Sequence, residues 1–336
     1  MPARTKRVAR ARIGKMLAFL GAMAVAMFST GGRAADLVVT LWGVGMMGTP
    51  YAVAMEKGIF KEAALPITGI IGGGGGNVLR NMLANELPYG EIAVPAVIAA
   101  TKQGLPIVVV NSGNIAADNI WITMPNSPVK TVKDLVGRKA AFTTPKSISE
   151  AFLRMTLTNA GVNPTSLTLM PAGGIGPGLT MLENGVVDTA LIIEPDFHVR
   201  AGKYNVLFRV IDTLPPMMGT VGVTTRQFAQ EHPDRLRSII AARRKAVDFV
   251  YANPEESGRL LAKAYSIDPH AAVEAAKAMA KAGYWQSGDI DIRLLKNLAA
   301  GMRVTGELQG DFDWSTIVDA SFLPADLKAK SKLGPQ

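Results

Sequence analysis

The sequence predicts an α/β fold of two lobes, each a mostly parallel β-sheet flanked by helices, with a helical C-terminal extension on lobe 1. Three observations support this fold class. Short apolar segments alternate with helical patterns over residues 37–110, a second alternating series covers residues 138–211, and the chain beyond residue 224 is almost purely helical. Alternation of this kind is typical of parallel strands joined by crossover helices. We therefore expect two sheets, formed one after the other along the chain.

The first 34 residues have the composition of a secretory signal peptide. Six Lys or Arg residues precede an unbroken apolar segment at residues 16–28, and the small residues Gly32 and Ala34 follow it, which predicts cleavage after Ala34. The apolar segment is too short to remain as a membrane anchor. We therefore expect a soluble, monomeric protein in the periplasm.

Removal of this segment changes the charge of the chain. Seven of the 36 basic residues and none of the 27 acidic residues lie in it, so the net charge falls from +9 to about +2. This small charge, without a basic cluster that includes aromatic residues, excludes a nucleic-acid partner. The absence of cysteine excludes disulfides, thiolate metal sites, thiol nucleophiles and a lipid-modified cysteine.

The first series of elements belongs to lobe 1. Its strands are predicted at residues 37–42, 67–71, 91–94 and 107–110, and its helices at 50–57, 77–85 and 96–103. The fourth strand is continuously apolar and β-branched, which is typical of a strand covered on both faces.

The second series predicts an equivalent lobe 2. Its strands are expected at residues 138–144, 166–171, 188–193 and 205–211, and its helices at 147–160, 176–184 and 195–202. The helix at 147–160 has clear ends, because Ser147 and Glu150 form a capping box and Gly161 supplies a left-handed stop.

The C-terminal part adds one strand and then helices. The strand is expected at residues 219–224 and the helices at 233–251, 254–265, 269–282 and 292–304, each opened by a proline or a polar cap. In the first of these helices, Arg243 and Arg244 lie opposite an apolar stripe and are predicted to face solvent.

Two proline-containing segments without helical period, residues 119–130 and 211–222, are predicted hinges. Lobe 1 would then be discontinuous. The predicted division is a signal peptide at residues 1–34, lobe 1 at 36–124 plus 219–330, and an inserted lobe 2 at 125–218.

Gly43, Gly45 and Gly48 fit the glycine spacing of a dinucleotide fingerprint. The fingerprint also needs an acidic residue at the end of the next strand, which here ends in glycines. A nicotinamide-dependent oxidoreductase is therefore disfavoured. The turn is either a flexible connection without ligand or the wall of a ligand site, to which Trp42 and Met46 would contribute apolar surface.

Two further helix starts are candidate anion sites. Five glycines at residues 72–76 precede a helix and could direct backbone N–H groups at an anion, but no Walker lysine follows them. Thr144, Ser147 and Ser149 offer hydroxyls at the start of another helix. Each could also be structural only, a surface loop in the first case and a helix cap in the second. Because the carboxyl ends of parallel strands meet at one edge, the helix starts together predict one anion-accepting cleft.

A catalytic centre is not predicted. The three histidines are far apart in sequence, and no nucleophile motif occurs. Glu194 and Asp196 lack a third partner for a metal or acid–base site, so Glu194 is interpreted as a carboxylate that binds a ligand amine or a water. We therefore expect no enzyme activity, no cofactor and no metal.

Several segments resemble the periplasmic substrate-binding proteins of ABC importers, in the nitrate, aliphatic sulfonate and taurine group that includes thiamine-pyrimidine-synthase-like proteins. They are AMEKGIFKEAALPI at residues 54–67, residues 135–164, GGIGPGLTMLENGVVDTALIIEPDF at residues 173–197, and ANPEES at residues 252–257. The resemblance implies a two-lobed periplasmic-binding-protein fold that closes on a small molecule and delivers it to a membrane permease and an ATPase.

The resemblance also implies, by position, which residues line the cleft. They are Trp42, Gly43, Met46, Met47, Gly74, Gly75, Asn77, Pro95, Asn111, Thr144, Ser147, Ser149 and Glu194. This set holds no basic residue, apart from the neighbouring Lys146, and it holds two methionines. The expected ligand is a small organic anion, a sulfonate or carboxylate with an apolar body. The alternatives are a periplasmic receptor of a sensor system, the disfavoured oxidoreductase, and a synthase of the thiamine-pyrimidine type.

Overall fold

The computed structural model describes residues 36–334 except residues 75, 146, 305 and 307. The predicted signal peptide at residues 1–34 lies outside the described residues. Among the helices that are described, none combines the length and the hydropathy that a membrane span requires.

The strands follow one another in chain order. They are β1 (Leu37–Val39), β2 (Ile70–Ile71), β3 (Gly90–Ala93), β4 (Ile107–Ser112), β5 (Asn119–Thr123), β6 (Lys139–Phe142), β7 (Thr168–Pro171), β8 (Ala190–Ile193), β9 (Asn205–Arg209) and β10 (Thr220–Thr225).

The helices separate and follow these strands. They are α1 (Thr49–Glu56), α2 (Ile59–Glu62), α3 (Gly76–Ala84), α4 (Val94–Lys102), α5 (Ile148–Asn159), α6 (Ile175–Glu183), α7 (Asp196–Val199), α8 (Val210–Thr213), α9 (Arg226–Glu231), α10 (Pro233–Ala252), α11 (Pro254–Tyr265), α12 (Pro269–Lys281), α13 (Ile292–Val304) and α14 (Ala325–Lys330).

The first sheet has the strand order β2-β1-β3-β10-β4. β1 is parallel to β2 and β3, whereas β10 is antiparallel to β3 and β4. β10 follows the strands of the second series along the chain, so the chain returns to complete the first sheet. β4 is buried along its whole length, which confirms the prediction of a strand covered on both faces.

The second sheet repeats this arrangement. β6 is parallel to β7, and β5 lies antiparallel between β8 and β9. A bridge between Ala140 of β6 and Thr189, the residue before β8, joins the two groups in the order β7-β6-β8-β5-β9. Each sheet is therefore mostly parallel with one antiparallel strand next to its edge, which confirms the predicted fold class.

Residues 119–123, which were predicted to end lobe 1 within a hinge, instead form β5, the antiparallel strand between β8 and β9 in the second sheet. The cause is the apolar sequence Ile120, Trp121 and Ile122, whose side chains are completely buried. Successive side chains of a strand point to opposite faces. Accordingly Trp121 packs in the main core, while the two isoleucines form a second core with α6. The chain thus crosses between the sheets before residue 119.

The larger predicted helices are present within about two residues of their predicted ends. A short helix replaces the one predicted at residues 195–202, since α7 has only four residues. Both predicted ends of α5 are as expected, because the hydroxyl of Ser147 accepts the N–H of Glu150 and Gly161 has a φ of +74°.

Arg243 also departs from the sequence prediction. It was expected to face solvent, but only 1% of its side chain is exposed, and its Nε donates to Glu91 Oε2 over 2.8 Å. Helical periodicity placed it opposite the apolar stripe, but its partner comes from β3, which no pattern within α10 could reveal. Its neighbour Arg244 lies at the surface, where it pairs with Asp326.

Candidate functional site

A cavity of about 1030 Å³ lies at the carboxyl ends of strands from both sheets. Its walls consist mainly of the residues that directly follow these strands and of the two crossovers between the sheets. Those from the first sheet include Thr40, Leu41, Val44, Met47, Gly74, Asn77, Arg80, Pro95 and Ala96. Those from the second sheet and the crossovers include Asn114, Asp118, Asn119, Thr143, Thr144, Ser147, Ser149, Gly173, Gly174, Leu191, Ile193, Gly219 and Thr220.

Four helices of the described chain begin at this cavity. α3 and α4 follow strands of the first sheet, and α5 and α6 follow strands of the second sheet. The N-terminus of a helix carries a partial positive charge and free N–H groups, and it is therefore a favourable position for an anion. Four such ends around one cavity favour a negatively charged guest.

The start of α5 carries a connected set of hydroxyls. The N–H of Thr143 donates to Ser149 Oγ over 3.0 Å, and the Ser149 hydroxyl also lies 2.8 Å from those of Thr143 and Ser147. These contacts fix the orientation of the three side chains. A hydroxyl has one donor and two acceptor positions, so such a group can still take part in ligand binding.

The glycine-rich segment before α3 is closely packed against the first turn of the chain. A side chain at Gly72 would collide with the carbonyl oxygen of Trp42, and the Gly73 carbonyl accepts the N–H of Leu41 over 2.7 Å. Gly73 has a φ of +152°, which favours glycine. Gly74 follows and lines the cavity, so this segment is a cavity wall in the described structure.

Arg80 brings a positive side chain to the cavity that the sequence analysis missed. It lies in the second turn of α3 and donates to the side-chain oxygen of Asn77, which is one turn earlier on the same face. In the described part of the chain, no carboxylate is within ion-pair distance of Arg80. The spacing of three residues from Asn77 was the signal that could have identified it.

Asp118 was also missed, and it lies in the crossover just before β5. Only 3% of it is exposed, and its two carboxylate oxygens accept hydrogen bonds of 2.9 Å from the Asn119 amide and the Tyr284 hydroxyl. Burial, with a smaller contribution from the negative charge of Glu194, raises the pKa of Asp118 to about 6 against the opposing effect of its hydrogen bonds. Nothing in the local sequence distinguishes this residue from an ordinary turn aspartate.

The structure brings together seven of the predicted lining residues. They are Met47, Gly74, Asn77, Pro95, Thr144, Ser147 and Ser149. Gly75 lies outside the described residues, as does Lys146. A ligand-binding role for the seven remains a prediction.

Three predicted residues of the first turn lie away from the cavity wall. Trp42 packs edge-to-face on the ring of Tyr265 with 5.1 Å between centroids, while Gly43 is exposed at a turn with a φ of +86°. Met46 is fully buried, and its carbonyl accepts the indole N–H of Trp285 over 2.8 Å. These contacts hold the turn against the C-terminal helices, and Leu41, Val44 and Met47 line the cavity in their place.

Asn111 and Glu194 are also structural in their contacts. Asn111 is buried in β4 and bonds to Tyr89 and to the Ser112 carbonyl. Glu194 is fully buried, and its Oε2 lies 2.7 Å from Nδ1 of His198, whose pKa it raises through this hydrogen bond. Its strand position predicted a cleft-facing side chain, but the neighbouring Ile193 reaches the cavity instead.

The glycines of the apparent dinucleotide fingerprint have another role. A side chain at Gly48 would collide with the Tyr265 hydroxyl, and one at Gly45 would lie 2.5 Å from the sulfur of Met47. Both glycines therefore permit close packing within the protein. A phosphate cannot approach their backbone from the side that these atoms occupy.

Solved structures with a similar fold include binding proteins and one enzyme. The periplasmic aliphatic sulphonate binding protein SsuA from Escherichia coli has 18% identity and a TM-score of 0.67, over 82% of this chain and 87% of that chain. The periplasmic nitrate-binding protein NrtA from Synechocystis PCC 6803 has 14% identity and a TM-score of 0.58, over 72% and 69% of the two chains. The desulfurization enzyme DszB has 13% identity and a TM-score of 0.63, over 85% and 97%.

These similarities, with the two sheets and the cavity at their carboxyl ends, define the class as the periplasmic-binding-protein fold. At such identities the likeness shows the fold alone. A search of curated proteins gives no match. The family model described as NMT1/THI5 like matches residues 47–257, and the chain belongs to that family.

Proposed function

We propose that this chain is the extracytoplasmic solute-binding component of an ABC importer. It captures a small organic anion, a sulfonate or carboxylate with an apolar body, in the cavity between the two sheets. The observation that carries the proposal is the convergence of four helix N-termini, two from each sheet, on one cavity that Arg80 also lines. Such a site is suited to binding a negatively charged group.

The two sheets correspond to two lobes in this proposal. The anionic group would accept hydrogen bonds from the N–H and hydroxyl groups at the start of α5 and from Arg80. The apolar body would contact Leu41, Val44, Met47 and Ile193, which line the same cavity. Closure of the lobes would exclude water and strengthen these polar contacts.

The proposed partners and location follow from the same class of protein. SsuA and NrtA are described as periplasmic binding proteins for a sulphonate and for nitrate, which supports a periplasmic location for this chain. A permease and an ATPase in the membrane would receive the ligand, and the binding protein itself would act as a monomer without enzymatic activity.

Calorimetric titration with alkanesulfonates and aromatic carboxylates tests this function. We expect at least one of these anions to bind saturably. The uncharged alcohols with the same carbon skeletons should not bind, because the helix ends stabilise negative charge. If no anion gives a heat of binding at millimolar concentration, the proposal is contradicted.

Variants at the cavity locate the bound anion. Ser147→Ala combined with Ser149→Ala should weaken binding by about 1–3 kcal/mol, since partners lose hydrogen bonds. Thr158→Ala is the matched control, because its hydroxyl bonds to the Arg154 carbonyl on the same helix away from the cavity. Arg80→Gln should weaken binding about tenfold, because it removes a charge from the cavity. Lys281→Gln is the matched control, since it removes the same charge from the exposed end of α12, which does not line the cavity. Unchanged affinity in both cavity variants would place the ligand elsewhere.

A further inference from the structure

Asp118 is an acidic group in the wall of a cavity that otherwise favours anions. Only 3% of the residue is exposed, and it lies in the crossover between β4 and β5. An anionic ligand bound in the same cavity would be repelled by this charge. Anion binding alone therefore does not explain why a carboxylate lies in the cavity wall.

The contacts of Asp118 do not neutralise it. Both hydrogen-bond donors, the Tyr284 hydroxyl and the Asn119 amide, are uncharged. Within the described residues, no Lys, Arg or His lies within ion-pair distance of its carboxylate. The carboxylate of Glu194, which has the same sign, is close enough to repel that of Asp118. A buried carboxylate without a cation is unfavourable unless something else compensates it.

A ligand can provide this compensation. An ammonium group or another strong N–H donor beside Asp118 would form a charge-assisted hydrogen bond in a site shielded from water. The opposite part of the same ligand would still place its acid group at the helix N-termini and Arg80. The cavity of about 1030 Å³ has room for a molecule that carries both groups.

We propose that the ligand is an organic anion that also carries an amino or similar N–H donor group, and that Asp118 is the specificity-determining residue that accepts it. This inference rests on the proposed function, because it assumes that the acid group of the ligand binds in the same cavity. It narrows the ligand from organic anions in general to molecules with an acid group at one end and a donor at the other.

Pairs of ligands of nearly equal shape test the inference. Aminopropanesulfonate is compared with butanesulfonate, and aminomethylbenzoate with ethylbenzoate, so that in each pair an ammonium group replaces a methyl group. In the unmodified mature protein, the amino member of at least one pair should bind about tenfold more tightly. Asp118→Asn should reduce this preference to less than about threefold without weakening the methyl member, because the amide keeps the shape and loses the charge.

Asp212→Asn is the matched control, since Asp212 is exposed in α8 and does not line the cavity. It should keep the full preference. Circular dichroism of each variant checks that it is folded. Equal affinity for the two members of both pairs, or a preference that survives in Asp118→Asn, would overturn the role of Asp118.

The outcomes separate this inference from the proposed function. Binding of the sulfonates or carboxylates without preference for the amino member leaves the proposed function in place and removes only the donor site. If no member of either pair binds at millimolar concentration, while the wider anion panel also gives no heat, both proposals fail together.

Discussion

Two carboxylates buried in this protein are compensated in different ways. Glu91 accepts from Arg243, Tyr51 and Thr220 within the protein, so its charge is fully paired by the fold. Asp118 has uncharged donors only, and burial raises its pKa. The charge of the first carboxylate is compensated within the protein, whereas the second lowers stability when it is ionised. Such a difference is typical of a structural charge and a functional charge.

The stability of the protein should therefore depend on the titration of Asp118. Its folded pKa of about 6 is above the ordinary value of 3.8, so the folded state binds the proton more strongly than the unfolded state. This contribution to stability is fully present below about pH 4 and is lost as the pH rises through 6. Between pH 4 and pH 7, the unfolding free energy should fall by about 2 kcal/mol more in the unmodified protein than in Asp118→Asn.

Urea denaturation of both proteins across this pH range, without ligand, measures the difference. The comparison with Asp118→Asn cancels the titration of other groups that both proteins share. An identical pH dependence in the two proteins would show that the Asp118 carboxylate titrates normally.

At the scale of elements, the side chain of Arg243 joins α10 to the first sheet, to the loop after β4 and to the loop after α12. Arg243 reaches Glu91 on β3 and also donates to the carbonyls of Gly113 and Gln286, each over 2.8 Å. Gly113 begins the crossover to the second sheet, and Thr220, which bonds to Glu91, lines the cavity. The ion pair therefore connects the C-terminal helices to the cavity wall.

Arg243→Met should lower the unfolding free energy by about 3–5 kcal/mol, because it leaves the buried charge of Glu91 unpaired. The neighbouring change Arg244→Met should cost less than about 1 kcal/mol, since its ion pairs are at the surface. Denaturant unfolding of each variant measures these values.

The double variant Glu91→Gln with Arg243→Met should be more stable than the sum of the two single changes implies, because neither charge then remains alone. If the two residues contributed independently, the double variant would equal that sum, and the coupling inferred from the 2.8 Å contact would be wrong.

At the scale of the whole molecule, the two sheets have the same strand order and face one cavity. Two crossovers join them, residues 113–118 and residues 211–219, and the chain enters the second sheet and returns through these segments. A division into lobes at these crossovers remains a proposal. It predicts that ligand binding changes the distance between the sheets.

Fluorescence energy transfer can measure this change, because the chain has no natural cysteine to interfere with labelling. Asn85→Cys and Asn184→Cys place labels at the exposed ends of α3 and α6, one beside each sheet. Saturation with a binding anion should shift the transfer efficiency, as expected for hinge closure. A pair on one sheet, Asn85→Cys with Lys102→Cys, is the control and should not respond.

Equal transfer efficiency with and without bound ligand in the inter-sheet pair would mean that the cavity is rigid. In that case anion binding could still occur, but closure would not be part of its mechanism.

The sequence by itself determined the elements and their order. Period, caps and glycine stops are local properties, so the two series and the C-terminal helices could be predicted, and α5 was correct at both ends. The sequence also predicted that the residues after the strands lie together, because the carboxyl ends of parallel strands meet at one edge of a sheet. That reasoning correctly grouped Met47, Asn77, Pro95 and Ser147 around one cavity.

The tertiary structure decided which side chains at that edge reach the cavity. Trp42 and Glu194 occupy positions that follow strands, but contacts with Tyr265 and His198 hold them elsewhere. Asp118 and Arg243 acquired their roles from partners distant in sequence. Local patterns record periodicity and turn chemistry, whereas burial and charge pairing depend on residues brought together from separate parts of the chain, and only folding specifies those neighbours.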